Sequence, residues 1–434
     1  MKSPWPTKKL GEKKYFEILG SGIEKFEGEK EYLSTSSIEG NKIIAPECKT
    51  TYQKRPSRAN MQPRLNSVWF ARMINTIKVY SFTEANKDEI DKYILSTGFA
   101  GILCNPEKVD PRYLEKIFLS KWFNDLKDSL ASDKAIQKSL NNDDIANLEI
   151  PLPPLHIQQK IVKILDTIQE AVEIQERIIE KTKELKKSLM HLLFHYGLAG
   201  LRVKELMSSR VGELTSSEIE KLGLKLKKTE IGEIPEDWEV VRLGEVCEIL
   251  SGGNAPQELK YFENGKYPFV RVQHLDGEKP YIEKWDLINE EAIKEYNLKL
   301  FPAETIIFPK SGASINLEKR AKLKIPSCIV NHLCALIVNQ NKIIVDFVFY
   351  YLVTKKLSES SGGSTLPYLN LSKIKNLKIP LPPLPEQQDI AEILQTIDQK
   401  IEIEKKKKEL YEELFKTMLN KIMSQEIDIE KIEI

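Results

Sequence analysis

Two segments of this chain, IANLEIPLPPLHIQQKIVKILDTIQEAVEI from Ile145 and IKNLKIPLPPLPEQQDIAEILQTIDQKIEI from Ile374, align without a gap. Roughly three positions in five are identical, and the copies lie roughly 230 residues apart. That spacing is far beyond the roughly 20–50 residues of solenoid repeats, so a whole domain with its connector was copied once. The 434-residue chain therefore reads globule, connector, globule, connector.

Each copy has the same local grammar. A short apolar run (LEI, LKI) reads as a strand end. PLPP then fixes several φ angles and can continue neither a strand nor a helix. Gln158–Gln159 and Gln387–Gln388 fall in the first turn of a long periodic segment. In the first segment a heptad frame puts Ile161, Ile168 and Leu189 at a, with Ile164, Ile178, Leu185 and Leu192 at d. Leu165, Val172, Ile179 and Leu193 widen the stripe at e. In the second, Ile390, Ile397, Tyr411 and Met418 take a, Ile393 and Leu414 take d, and Leu394 takes e. Gln175, Thr182, Lys400, Glu404 and Lys407 interrupt the seam. Sustained heptads flanked by Lys and Glu predict coiled-coil helices. Each would run about 39 residues, or about 58 Å, more than a globular core requires. Paired antiparallel, they would hold the two globules at opposite ends of a rod with an approximate twofold axis.

The expected boundaries are a first globule at 1–150, a repeated helix at 151–198 and a linker at 199–230. A second globule at 231–379, a second helix at 380–424 and a tail at 425–434 follow. Short β-type runs (SVWFARMI, ETIIFP, CIVNHLCALIV) alternate with helical ones (PRYLEKIFLSKWFNDL, VDFVFYYLVTKKL). The fold class is α+β: two mixed α/β globules separated by two long antiparallel coiled-coil helices, with a pseudo-twofold internal repeat. The globules begin alike, KKLGEKKYFEILGSG against VRLGEVCEILSGG, and diverge in the middle.

Composition narrows the function. Hydrophobic content of 41% and charged content of 30% describe a globular chain. With a net charge of +1, any nucleic-acid surface must be a local patch. Such a patch stands at Thr51–Phe82, which holds Lys54, Arg55, Arg58, Arg64, Arg72 and Lys78 and no Asp or Glu. About five acids would be expected there. Ser57, Asn60 and Gln62 are interleaved, and Asn and Gln pair with base edges while Arg reads guanine or phosphate. In the second globule, FPKSGASINLEKRAKLKI carries Lys310, Ser311, Ser314, Asn316, Lys319, Arg320 and Lys322. Arg271, Gln273, Ser364, Thr365 and Tyr368 complete the candidate DNA-contacting set. The alternative is a coiled-coil scaffold whose globules bind protein partners. The acid-free basic window argues against it.

No chemistry-bearing motif competes. There is no GxxxxGK phosphate loop, no GxGxxG and no acidic nuclease cluster. CNPEKVD at Cys104 lacks the second proline and the aromatic of an amino-methyltransferase motif. The five cysteines have no CxxC spacing, which predicts neither a disulfide framework nor a zinc site and points to a reducing cytoplasm. No apolar run is long enough for a transmembrane helix.

Two divergent globules separated by two near-identical proline-started helices resemble the specificity subunit of type I restriction–modification enzymes. IPLPPL followed by QQ is the close match; QKRPSRANMQP…VWFARM and FPKSGASI are similar to its target-recognition segments. The resemblance implies two target recognition domains, each reading half of a bipartite, asymmetric double-stranded DNA site. It implies no catalytic or cofactor site in this chain. S-adenosylmethionine, ATP and Mg2+ would belong to two modification and two restriction subunits. The repeated joints, Pro151, Pro153, Pro154, Gln158 and Gln159 with Pro380, Pro382, Pro383, Gln387 and Gln388, would dock the modification subunits.

Overall fold

The computed structural model describes residues 5–132, 139–203, 224–360, 367–424 and 426–432. It divides into two compact units, Met1–Arg177 with Glu404–Ile434, and Ile178–Ile403. Each long helix thus contributes one half to each unit.

In the first unit a four-stranded antiparallel sheet runs in the order Phe16–Leu19, Phe99–Cys104, Ser67–Ala71, Val79–Phe82. Ser67–Ala71 is buried along its whole length, and its period of two sorts the side chains. Val68 and Phe70 enter the core that holds the helix Pro111–Leu119. Trp69 and Ala71 enter the core on the other side. The second unit repeats this order with Cys247–Ser251, Leu333–Val338, Ile306–Pro309 and Ala321–Lys322. Here Ile306 and Phe308 face one core and Ile307 the other. Each unit adds a smaller mixed sheet in which one pair is parallel, Lys30–Leu33 with Tyr93–Ser96 and Tyr267–Val270 with Cys328–Ile329. The globules therefore share one topology although their middle sequences do not align.

The repeated segment builds the same frame twice. Glu149–Pro151 pairs antiparallel with Thr7–Lys9, and Lys378–Leu381 with Glu239–Arg242. A short helix precedes each, Asn142–Ala146 and Leu371–Lys375. Asn141 and Asn370 cap these helices by accepting from Asp144 N (2.8 Å) and Ser372 N (2.9 Å). The shared Leu-Gly-Glu places Gly11 and Gly244 against them. A Cβ at Gly11 would lie 3.0 Å from Ala146 Cβ, and one at Gly244 3.1 Å from Lys375 Cβ.

The long helices span Leu155–Tyr196 (42 residues) and Leu384–Met423 (40 residues), about 63 and 60 Å. Within each unit their halves run antiparallel. In the first, Lys408 meets Glu176 at 3.0 Å and Lys160 donates to Glu430 O at 3.2 Å. In the second, Lys186 meets Asp398 at 2.5 Å and Leu198 N donates to Glu386 Oε1 at 3.1 Å. The e residues that widen the expected stripe are its most consistently buried positions, whereas the d positions are unevenly buried, with Leu192 at 7% exposure. Leu165, Val172, Ile179 and Leu193 are buried, as are Leu394 and Ile401. The expected d residues Leu185 and Leu414 are 39% and 43% exposed. Steps of three and four residues flank position a by about 60° and about 40° on opposite sides, so the apolar count alone does not choose between them. Glu404, at a, is only 2% exposed and accepts from Lys407 at 3.2 Å.

Two boundary segments carry structure. The linker expected at 199–230 lies partly outside the described residues, and its described end forms the hairpin Leu226–Thr229 with Gly232–Pro235. Of the tail expected at 425–434, Ile429 is buried in the first unit's core beside Ile422 and Met423. Among the described residues, no helix is long and apolar enough to cross a membrane.

Candidate nucleic-acid interface

The duplicated IPLPPL…QQ is first of all a joint between globule and helix. Gln158 is fully buried. Its Oε1 accepts from Asp110 N at 2.9 Å, and its Nε2 donates to Lys108 O (3.0 Å) and Pro153 O (2.8 Å). Asp110 is the N-cap of Pro111–Leu119. Gln387, equally buried, accepts from Ile344 N and donates to Pro382 O, both at 2.8 Å. Ile344 is the N-cap of the corresponding helix, Val345–Thr354. In both units one glutamine thus ties the globule's main helix to the start of a long helix. This corrects the docking assignment. Gln158, Gln387, Pro151, Pro153, Pro380 and Pro382 are buried, so no partner can touch them; Pro154, Gln159, Pro383 and Gln388 are exposed.

In the first unit the basic window resolves into two parts. Lys54, Ser57 and Arg58 lie on the loop between Cys48–Thr50 and the edge strand Ala59–Met61, and Arg64 follows that strand. All four are exposed. Asn60 and Gln62, half-buried, flank Met61. Arg55 folds over Tyr52, its guanidinium 4.3 Å from the ring centroid and bonded to Tyr52 O. Lys54, Arg58 and Arg64 make no side-chain hydrogen bond or ion pair with the described residues, which leaves three cations to solvent or phosphate. Arg72 and Lys78 serve the fold. Arg72 Nε donates to Phe99 O (2.9 Å) and Nη1 to Leu140 O (3.3 Å); Lys78 donates to Thr35 O at 2.5 Å. Burial lowers the pKa of the Arg72 guanidinium.

In the second unit two of the predicted loops come together. Gly312 N donates to Pro367 O (2.9 Å) and Leu369 N to Lys310 O (2.8 Å), which sets Ser311 opposite Tyr368. Ser311 Oγ lies 2.6 Å from His332 Nδ1, and the Lys310 ammonium 5.3 Å from the Tyr368 ring. His332, which the sequence reading passed over, is exposed at the turn before Leu333–Val338; no local pattern marks it. The first unit has the same scaffold. Arg72 N donates to Gly98 O and Leu140 N to Arg72 O, as Lys310 N does to His332 O and Leu369 N to Lys310 O. Each globule therefore ends a core strand in a basic residue whose backbone bonds the turn between the two sheets and the residue before the N-cap of a short helix. Gln273 and Asn316 are exposed, and Ser314 is half-buried with its Oγ on Ser311 O at 3.2 Å. Ser364 and Thr365 lie outside the described residues.

Five cations expected to touch DNA are committed elsewhere. Lys322 is 1% exposed, its ammonium held by Asp346, by Glu304 (3.1 Å) and by Tyr281 OH (2.6 Å). Arg320 is buried on Glu318 (2.6 Å) and Lys355 O. Lys319 donates to Leu275 O at 2.8 Å, and Arg271 pairs with Asp286 at 2.6 Å over Phe269. Lys310 is 8% exposed, with its ammonium over the Tyr368 ring. The run of positive charge in EKRAKLK is thus mostly internal, because Ala321–Lys322 is a sheet strand that turns Lys322 inward. Burial alone would lower the Lys322 pKa; hydrogen bonds to Asp346 and Tyr281 outweigh it and the net shift is upward. Its stabilising contribution is therefore complete at neutral pH and is lost only as pH rises through the raised, alkaline value. Lys322→Met leaves the half-buried Asp346 carboxylate without its buried cation and is expected to cost about 2 kcal/mol, seen as a lower urea midpoint. DNA affinity per folded molecule should not change; a large loss there at unaltered stability would return Lys322 to the interface.

Two copies of one α/β module, each presenting a different loop set on a common frame, define a tandem-module recognition protein. The type I restriction modification DNA specificity domain matches this chain twice, at residues 9–184 and 235–413. The MjaIX type I restriction enzyme specificity subunit of Methanocaldococcus jannaschii is 30% identical over 338 residues, covering 77% of this chain and 73% of that one. A chain from a type I R-M system solved for its complex assembly and conformational transition superposes with a TM-score of 0.60 at 21% identity, over 96% of this chain and 97% of its own. The type I S subunit from M. genitalium gives 0.50 at 16% identity, over 96% of each chain. This chain belongs to the family of DNA specificity subunits of type I restriction–modification systems.

Proposed function

We propose that each globule reads one half of a bipartite, asymmetric double-stranded DNA site, and that the paired helices set the unread gap and carry two modification subunits. Those subunits would bind S-adenosylmethionine and methylate a flipped adenine at N6, and two restriction subunits would supply the ATP- and Mg2+-dependent steps. This chain contributes recognition and spacing in the cytoplasm, with no catalytic group of its own. The observation that carries the reading is one sheet order built twice beneath unlike loops, Lys54–Arg64 in one unit and Lys310–Asn316 with Tyr368 in the other. A duplicated frame with divergent loops suits two different half-sites, whereas a palindrome needs only one loop set used twice.

The helices make the test quantitative. Inserting one heptad into both, in register, lengthens each by about 10 Å, about three base pairs of rise. On the original site the half-site readers would be misrotated by roughly 100°, so methylation should collapse. It should return on a site whose gap is about three base pairs longer. Unchanged gap preference would count against the spacing role.

A further inference from the structure

The common frame presents three matched positions whose chemistry differs between the units. The residue after the strand-end cation forms an isolated β-bridge, Met73 with Ser139 in the first unit and Ser311 with Tyr368 in the second. The turn between the two sheets supplies the third position, Gly98 or His332, whose carbonyl accepts from the N–H of Arg72 or Lys310. The first unit thus offers a thioether 52% exposed, no side chain, and a half-buried hydroxyl. A Cβ at Gly98 would already crowd Thr35 Cγ2 at 3.1 Å, so that turn does not favour an imidazole. The second unit offers a hydroxyl, an exposed imidazole and a phenol 47% exposed. Ser311 Oγ lies 2.6 Å from His332 Nδ1. That contact fixes the ring, while His332 Nε2 and Tyr368 OH make no hydrogen bond among the described residues. Beside them, Asn331 Nδ2 donates to Asn254 Oδ1 at 2.8 Å. The adjacent cation, Lys310, is 8% exposed with its ammonium over the Tyr368 ring.

We infer that His332 Nε2 and Tyr368 OH read base edges in the second unit's half-site, and that Ser311 is the positioning residue for the imidazole. This rests on the proposal that each globule reads half of a DNA site. Sequence is carried by donors and acceptors on base edges, which neutral, mutually held side chains match. Phosphates are met by exposed cations, and those stand in the first unit at Lys54, Arg58 and Arg64. A Ser311 hydroxyl that donates to Nδ1 places the ring proton on Nε2. That donor suits the N7 acceptor of a purine in the major groove.

The test binds the full chain, together with the modification subunits of its host, to duplexes of the site that the complex methylates. Each base pair is replaced in turn, and each purine by a deaza analogue lacking N7. H332A should lose about tenfold of the discrimination at one base pair of one half-site. It should bind the deaza analogue there as well as the parent duplex, and keep the salt slope of the unsubstituted chain. Y368F should lose discrimination at a neighbouring base pair. S311A should fail at the same base pair as H332A and S311T should restore it, while S311A/H332A should be no worse than H332A alone. Urea unfolding checks that each variant keeps its fold. Weakening on every duplex alike with a flatter salt slope would assign these side chains to phosphate, and unaltered discrimination in H332A and Y368F would remove them from the interface. Either result overturns the inference and leaves bipartite reading standing. An unsubstituted complex sensitive to base changes in one block alone overturns bipartite reading and this inference with it.

Discussion

Replacing Lys54, Arg58 and Arg64 together by alanine is expected to lower DNA affinity by roughly a hundredfold at physiological salt while leaving the unfolding curve in place. The three side chains are exposed and make no contact that the fold would miss. If each neutralises a phosphate, the slope of log affinity against log salt flattens by about 2.7. The salt slope separates this from a specificity effect. Loss of phosphate contacts weakens all sequences alike, whereas loss of an Asn60 or Gln62 contact to a base edge would weaken the cognate half-site by about 1–3 kcal/mol and spare the rest. An unaltered salt slope in filter binding or anisotropy would remove this loop from the interface. Arg72→Ala is the contrasting case: its bonds to Phe99 O and Leu140 O make it a fold residue first.

The second large effect lies at the joint. Gln158→Leu leaves Asp110 N, Lys108 O and Pro153 O without their buried partner. At about 1–3 kcal/mol for each unsatisfied buried group, the cost should reach about 3–5 kcal/mol. That is a large share of the roughly 5–15 kcal/mol that holds a native protein together. Gln387→Leu frees only Ile344 N and Pro382 O and should cost less. The neighbouring exposed glutamines are the controls: Gln159→Leu and Gln388→Leu should change stability by no more than about 0.5 kcal/mol. Urea unfolding of the four variants gives the ranking directly. Equal, small effects would mean that the glutamine pair is kept for its surface.

These two regions also show what a single sequence discloses. The repeat was legible because it is written in residues with hard backbone consequences: proline ends the strand, and the following apolar period makes a helix. It announced two equivalent joints but not which glutamine turns inward. Gln158 and Gln159 are chemically identical, and only the packing of Pro111–Leu119 against the helix start separates them. The heptad frame marked a stripe over a, d and e but not which flank packs more deeply, because d and e both lie near a on the helix surface. The candidate basic residues differ in exposure for a related reason. Charge frequency locates a basic segment, and in the Lys54–Arg64 loop exposure follows because no ladder claims the side chains. In EKRAKLK a two-residue strand sends Lys322 to Asp346 and Glu304, acids distant in sequence. The convergence of Lys310, Ser311, His332 and Tyr368 depends on the pairing of Ile306–Pro309 with Leu333–Val338 and on the backbone bonds from Gly312 and Leu369. No spacing rule reaches that far along the chain.

The claim beneath all of this is that one duplicated frame presents two unlike readers to a single DNA site. Base-by-base interference mapping of the chain together with the modification subunits of its host, on the DNA that the complex methylates, tests it most directly. The account predicts two sensitive blocks of different sequence flanking a gap where any base is accepted, with K54A/R58A/R64A altering contacts at one block alone. A single uninterrupted block, or two blocks of the same inverted sequence, would contradict it.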